Sequence, residues 1–392
     1  MSKYIIKIFP TILRNIPIID RWLLGQLLPP LIFAISAFTV VSLSVGVMID
    51  LIRKIVEYGL PFQLAIQIMF LKLPSFLVLS FPMSVLLSTL LAYSKLSSNS
   101  EILALRSLGI KTWRMIIPAL VLSIFMTGLT FYFNNSLVPL SNKYSEVLLR
   151  NGLGKSISIE KGTDIFFKGY GSFTDPETNE STDRNTFRNK IFFAREVENN
   201  VMKNVTVLDF SKLGYKQILT ADEGVFDSVN SEWIFKNGRM ITLDKGGNTT
   251  SIGFKNYFYP LGDGPLKVSK IPGDANEMTL SQAFEARKIY KEIGDVKEAR
   301  KMSVRIHEKF TLPFACLVFG LIGSSLGAKH NLRSSKSQGF GLSVILILLY
   351  YVISFVSSSL GVKGALTPFL SAWLPVFISL SVGFYLLKKA SA

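Results

Sequence analysis

The sequence predicts an α-helical membrane protein with six transmembrane helices, three before and three after an inserted all-β domain of sandwich, jelly-roll or barrel type. Three observations carry this fold class. Six apolar stretches are each long enough to cross a hydrocarbon core, which takes about 20 helical residues. They are split three and three by a polar insert, Pro139 to Arg305, whose short runs alternate like strands. Lysines and arginines gather at alternate ends of the stretches, as the positive-inside rule requires of a polytopic chain.

Composition sets the outer bounds. Of 392 residues, 49% are hydrophobic and 18% charged, less charge than the roughly 25% of soluble domains. Most soluble enzyme readings are therefore excluded. The net charge of +16 does not mark a nucleic-acid binder, because the basic residues sit at helix ends and form no single patch. Cys316 is the one cysteine, so no intrachain disulfide exists and the insert must fold on its own core. Two histidines, His307 and His330, are too few for a His-rich metal site. The N-terminus does not read as a cleavable signal, since its apolar run is too long for an h-region.

The first span runs from about Leu23 to Ile49, the second from Phe62 to Ala92 and the third from Met115 to Phe133. Phe310 to Leu326, Phe340 to Leu360 and Pro368 to Leu387 follow the insert. Pro74 and Pro82 predict a kink or break in the second span. In domain terms, residues 1–138 form the N-terminal membrane half, 139–278 the β-domain, 279–305 a helical connector and 306–392 the C-terminal membrane half. Lys95, Arg106, Lys111 and Arg114, with Lys3, Lys7, Arg14, Arg21, Lys329, Arg333, Lys336, Lys388 and Lys389, place both termini in the cytoplasm and the insert outside the membrane.

Within the insert, strand-like runs cover Ile157–Ile159, Asp164–Lys168, Lys190–Glu196, Val205–Phe210, Gln217–Thr220, Gly224–Asp227, Glu232–Lys236 and Arg239–Leu243. Asn237-Gly238 predicts a two-residue hairpin turn between the last two. Asp175 to Arg188 reads as a mobile loop. Many short strands at close spacing favour a sandwich, jelly roll or barrel.

Two segments carry candidate chemistry. Ser97 to Arg114 predicts a short helix between the second and third spans, with Asn99 or Ser100 as its cap, Glu101 in its first turn and Gly109 at its end. It is apolar over most of its circumference, which fits either an interfacial helix on lipid headgroups or a helix docked into a groove of a cytoplasmic partner. Arg53 and Lys54 follow the first span on its outer side. They fit either a solvated helix end snorkelling to headgroups or a pair of cations on a lipid phosphate. No nucleotide site stands: Gly154-Lys155-Ser156 lacks the first glycine of a phosphate loop, which Leu149 replaces.

The motifs IDRWLLGQ, SEILALRSLGIKTWRM, NNSLVPLSNKYSE, EWIFKNGRM and RIHEKFTLPFACLVFGLIGSSLG occur in the order found in the LptF/LptG permeases of lipopolysaccharide export, which the chain resembles over nearly its whole length. The resemblance implies a permease that is not itself an enzyme and binds no cofactor, with ATP used by a cytoplasmic LptB-like ATPase dimer. It implies a second six-span subunit (F- or G-type, or a second copy), an LptC-like single-span protein, an LptA-like periplasmic bridge and lipopolysaccharide as substrate. It gives Glu101 the role of ATPase contact, with Leu105, Arg106, Leu108 and Gly109 completing the coupling segment. The family's basic residues at the outer end of the first span find their nearest counterparts in Arg53 and Lys54, with Val47 beside them. The competing reading is a membrane tether whose β-domain binds envelope partners without transport.

Overall fold

The computed structural model describes residues 17–153, 163–170, 173–174, 181–182, 188–198, 201–211, 216–227, 230, 232–244, 246–261, 263–269, 271, 278–328 and 336–391. The chain divides into two compact units, residues 1–153 with 304–392, and residues 154–303.

The membrane unit begins with α1 (Ile18–Leu43), a five-residue π-helical turn (Ser44–Met48) and α2 (Ile49–Tyr58) in unbroken succession. Gly59 in the left-handed conformation ends α2, and Pro61 precedes α3 (Phe62–Ser98). A short α4 (Glu101–Ser107) leads to α5 (Thr112–Tyr132), a second π turn (Phe133–Leu137) and α6 (Val138–Gly152). Pro74 and Pro82 do not break α3, because packed neighbouring helices and back-bonding serines tolerate proline within a span. Ser80 donates to Phe76 O at 2.8 Å, and Ser75 bonds Asn142 of α6 at 3.0 Å.

The first three spanning helices run 41, 37 and 38 residues, roughly 55–60 Å of helix against a core of about 30 Å. Their surplus lies at the end nearer the insert. There Leu51, Leu60, Ala65 and Ile68 form a core of their own with Leu148, Leu149 and Leu153. This corrects the sequence-based boundary: residues 139–152, assigned to the β-rich insert, are helical and belong to the membrane unit. The apolar period in Leu140 to Leu153 is diluted by Asn142, Lys143, Glu146 and Arg150, which hid the helix.

The second unit is built on one antiparallel sheet. Its strands are β1 (Thr163–Tyr170), β4 (Arg188–Glu198), β5 (Val201–Asp209), β6 (Lys216–Asp227), β7 (Glu232–Leu243) and β8 (Thr249–Tyr259), in that spatial order. β2 (Phe173–Thr174) and β3 (Ser181–Thr182) pair separately. Two expected pairs of strands are single strands: Gln217–Thr220 and Gly224–Asp227 lie in β6, and Glu232–Lys236 and Arg239–Leu243 lie in β7. Asn237-Gly238 is therefore not a hairpin turn. Ile157–Ile159 lies outside the described residues, as does most of the Asp175–Arg188 loop.

Asn237 does something else. It and Asn204 both adopt left-handed backbone, with φ of 50° and 52°. Asparagine tolerates this region better than most residues. The register places Arg195, Asn204, Asp222, Asn237 and Lys255 level with one another across β4 to β8. On either side of that row the inward-facing positions change phase: Met202 is buried before it and Val205 and Val207 after it, while Phe235 is buried before it in β7. The sheet folds on itself along this row. Phe192, on one arm, then meets Trp233, on the other, with ring centroids 5.3 Å apart. Phe235 and Tyr259 complete the apolar interior.

At the free ends of the two arms, the Tyr259 hydroxyl donates to the Asp209 carboxylate, which also accepts the Ser211 N–H at 2.8 Å. Lys190 lies 4.9 Å from the Tyr259 ring centroid. Burial, and then the Asp209 carboxylate, push the Tyr259 hydroxyl up, so it remains a donor throughout the physiological range. Tyr259→Phe leaves a buried carboxylate oxygen short of a donor, at a cost of about 1–3 kcal/mol. The expected result is faster hydrogen exchange in β5 and β8 of the full-length protein, with α3 unchanged; unchanged exchange in β5 and β8 contradicts it.

Beyond the sheet come α7 (Gly264–Ser269) and α8 (Leu280–Ile293). Thr279 and Gln282 form a reciprocal capping box at the start of α8. The chain continues in α9 (Val296–Gly327), then α10 (Lys336–Lys363) and α11 (Pro368–Ser391). Six helices among the described residues are long and apolar enough to cross a membrane. The halves of the membrane unit meet through Gly320, Gly323 and Gly327 of α9. A Cβ on Gly323 would stand 2.1 Å from Thr89 Oγ1 and 2.9 Å from Leu86 O. Small residues allow helix backbones in a membrane to approach this closely. Phe319, Tyr350 and Val376 bring α9, α10 and α11 together in a second apolar cluster.

Candidate functional site

The segment between α3 and α5 is built by its ends. Ser100 precedes α4 with φ of 63° and makes no side-chain cap. The Asn99 side chain instead donates to Glu101 Oε1 at 2.9 Å. The expected capping by either residue is thus replaced by a contact that holds the glutamate in the first turn, where the helix dipole favours a carboxylate. The other end is a Schellman motif. Gly109 is left-handed, its N–H reaches Arg106 O at 2.9 Å, and Ile110 N–H reaches Leu105 O at 3.2 Å. Leu105 and Ile110 pack on the same apolar cluster beneath.

This geometry sorts the predicted residues into two faces. Ile102 is buried, and Leu105 and Arg106 turn toward the bundle. Leu103 is 50% exposed and Leu108 78% exposed, with Ala104 and Ser107 beside them. Glu101 is partly exposed at the rim of this outward face. Sequence periodicity over seven residues did not identify Leu103, which has the same apolar character as its buried neighbours.

Beneath α4 lies a polar framework that joins elements distant in sequence. Arg106 Nε and Nη2 donate to Thr112 Oγ1 at 2.9 and 2.6 Å. Arg106 Nη2 also donates to the carbonyl of Ala390, near the end of α11, and Thr112 Oγ1 lies 3.3 Å from the same oxygen. Arg114 makes a bidentate ion pair with Asp20 of α1, at 2.6 and 2.8 Å. The Tyr93 hydroxyl of α3 donates to Met115 O at 2.6 Å.

Comparison with known proteins bears directly on this arrangement. Residues 21–389 match the family described as Lipopolysaccharide export system permease LptF/LptG. The chain belongs to the LptF/LptG permease family. It is also similar to an uncharacterized protein of Rickettsia prowazekii (strain Madrid E), 20% identical over 376 residues, covering 94% of this chain and 97% of that protein. The family match includes both membrane halves and the β-domain, so the resemblance drawn from the motifs holds for the whole architecture. As an LptF/LptG permease the chain is a multi-pass inner-membrane component of an ABC transporter, and it is not itself catalytic.

On the permease's opposite end, the three predicted substrate residues differ in availability. Arg53 is exposed on α2. Lys54 is paired with Asp50 at 2.7 Å. Val47 is partly buried against the Leu51 and Ile68 cluster, while its neighbours Val45 and Met48 are exposed. Sequence reasoning missed Lys309 of α9, which is 7% exposed. Glu308 beside it is taken by Arg305 at 2.6 Å, and among the described residues no carboxylate pairs with Lys309. The Asn134 side chain of the second π turn reaches Lys309 O at 3.5 Å. That level is 22 residues beyond Thr112, about 33 Å along the helix and so near the far edge of a hydrocarbon core. Arg53 stands roughly 15 Å further out than the end of a 20-residue span begun at Leu23.

Proposed function

We propose that this permease subunit extracts lipopolysaccharide from the outer leaflet of the inner membrane and passes it through its β-domain toward the outer membrane. The observation that carries this reading is the outward apolar face of α4, bordered by Glu101, on a chain whose sequence carries no complete phosphate-loop motif. A tether has no use for such a face. A motor protein does, and we assign Glu101, Leu103 and Leu108 to contact with a cytoplasmic LptB-like ATPase dimer, which uses the ATP. Leu105, Arg106 and Gly109 hold the helix in place. Both termini and α4 are then cytoplasmic and the β-domain periplasmic, with a second F- or G-type subunit or a second copy completing the cavity. An LptC-like single-span protein and an LptA-like bridge are the further partners of this scheme.

Lifting a multi-acyl lipid into water costs about 0.8 kcal/mol per CH₂ exposed. The folded sheet provides an apolar interior, lined by Phe192, Trp233 and Phe235, that can receive acyl chains once its arms part at Tyr259 and Asp209. A buried lysine without a partner is expensive and in a membrane segment marks a functional site. Lys309, at headgroup depth, is the first cation for a lipid phosphate, and Arg53 meets the same phosphate after it has been raised.

Site-specific photocrosslinking tests this. Crosslinkers at Met48, Arg53 and Phe226 should capture lipopolysaccharide in that order as ATP is hydrolysed, and capture at all three should fall in Lys309→Met. Capture at Phe226 without ATP, or at none of the three in a correctly inserted protein, overturns the reading.

A further inference from the structure

The coupling helix is only seven residues long, too short to be stable alone, and it must transmit force without melting or sliding. Arg106 within it and Arg114 eight residues on tie it to helices that are remote in the chain. Arg106 reaches across to the carbonyl of Ala390, a residue 5% exposed in the last turn of α11. Such carbonyls have no donor within their own helix and need one from outside. Thr112, 3% exposed, is held between the guanidinium and that carbonyl. Leu387, one turn earlier in α11, packs on the cluster that also receives Ile102, Leu105 and Ile110. Thus the end of the sixth span rests on the base of α4 through both apolar and polar contact.

From this geometry we infer that Arg106 is a positioning residue that locks the coupling helix to the C-terminal end of the sixth span, so that the two move as one body when the ATPase pushes on α4. The same inference places the Arg114–Asp20 ion pair as the parallel link from the start of α5 to the first span. A single cytoplasmic helix in the N-terminal half thereby moves a helix of each half. The fork of Arg106 matters as much as its charge. A guanidinium supplies separate N–H groups to the Thr112 hydroxyl and the Ala390 carbonyl, whereas an ammonium is a point donor on a flexible stem. The link rests on the motor reading of α4 given above for its purpose, but its rigidity can be measured without any transport.

The test uses the full-length permease reconstituted with an LptB-like ATPase from the same genome. Spin labels are placed on Ser107 and Lys389, both exposed; native Cys316 is buried and shielded from the label. In the otherwise unaltered chain the Ser107–Lys389 distance should stay the same, within about 2 Å, between nucleotide-free and ATP-bound states. In Arg106→Lys and in Thr112→Val the distribution should broaden and should change with nucleotide. Lipid released per ATP hydrolysed should fall about tenfold in Arg106→Lys, the scale of one charge-assisted hydrogen bond, while ATP hydrolysis itself persists. A distance that changes with nucleotide in the unaltered chain overturns the inference, as does an unchanged distance in both variants. Equal loss of hydrolysis and release in Arg106→Lys also overturns it, since that is the result of a merely structural residue. If the unaltered chain keeps a fixed distance yet releases no lipid with ATP, the lock stands and the exporter reading fails.

Discussion

Gly323→Val is expected to prevent the two membrane halves from packing and to abolish the folded protein. The added Cβ would fall 2.1 Å from Thr89 Oγ1, 2.9 Å from Leu86 O and 3.2 Å from Leu90 N. Two of these atoms are backbone, and the third has no room to move. Thr89 is fully buried and its hydroxyl is already bonded to Val85 O at 2.7 Å. Overpacking a well-filled core costs about 1–3 kcal/mol when side chains can shift. Here the α3 backbone itself must withdraw, which also opens Gly327 against Tyr93. The measurement is the yield of monodisperse protein in detergent, with its melting temperature. Gly128→Val is the matched control: it adds the same isopropyl group to a spanning helix, and a Cβ there meets nothing within 4 Å. Equal yields of the two variants contradict the close-approach account of the interface.

Glu101→Ala is expected to stop export while leaving insertion and fold intact. The glutamate is partly exposed and accepts a hydrogen bond from the Asn99 amide at 2.9 Å. Its removal therefore leaves no buried group unpaired, and its effect on stability should stay within about 0.5 kcal/mol. Its effect on coupling is of another order. A carboxylate desolvated against a cation of a partner contributes about 2–5 kcal/mol when one member is truncated, so ATP-dependent lipid release should fall about 100-fold. Leu105→Pro should give the same loss by breaking α4, because proline removes an intrahelical bond and clashes with the preceding turn. Release assayed in proteoliposomes with the ATPase present decides the matter. Normal release in both variants would falsify the coupling role of this helix.

Much of the architecture was legible because it depends on local and one-dimensional signals. Apolar length located all six spanning helices, from α1 near Leu23 to α11 at Pro368, since a helix in lipid must satisfy its backbone internally and needs little else to be recognised. The end of α4 was legible for a similar reason: Gly109 supplies the left-handed residue that a Schellman stop requires, and Leu105 and Ile110 supply its apolar contact. The place of Glu101 in the first turn of α4 was legible from the same local pattern.

Other features were invisible because their partners lie far away in the chain. Nothing near Asn237 indicates that β7 continues past it. Asn-Gly is the ordinary signal of a hairpin, and here four neighbouring strands turn the same corner and carry β7 through. The helix over residues 139–152 reads as polar until α2 and α3 supply the leucines and alanine that cover its inner face. Lys309 reads as a helix-end cation, and only the packing around α9 buries it.

By itself, then, the sequence determined that this protein is a six-span permease with an inserted β-domain and a short glutamate-bearing helix, because hydrophobic length, charge asymmetry and turn chemistry are properties of contiguous residues. The tertiary structure alone decided which face of that helix is free, that Arg106 bonds Ala390 and that Arg114 bonds Asp20. These depend on which helix ends meet in space, and pairings separated by 284 and 94 positions have no local physical signal from which they could be read.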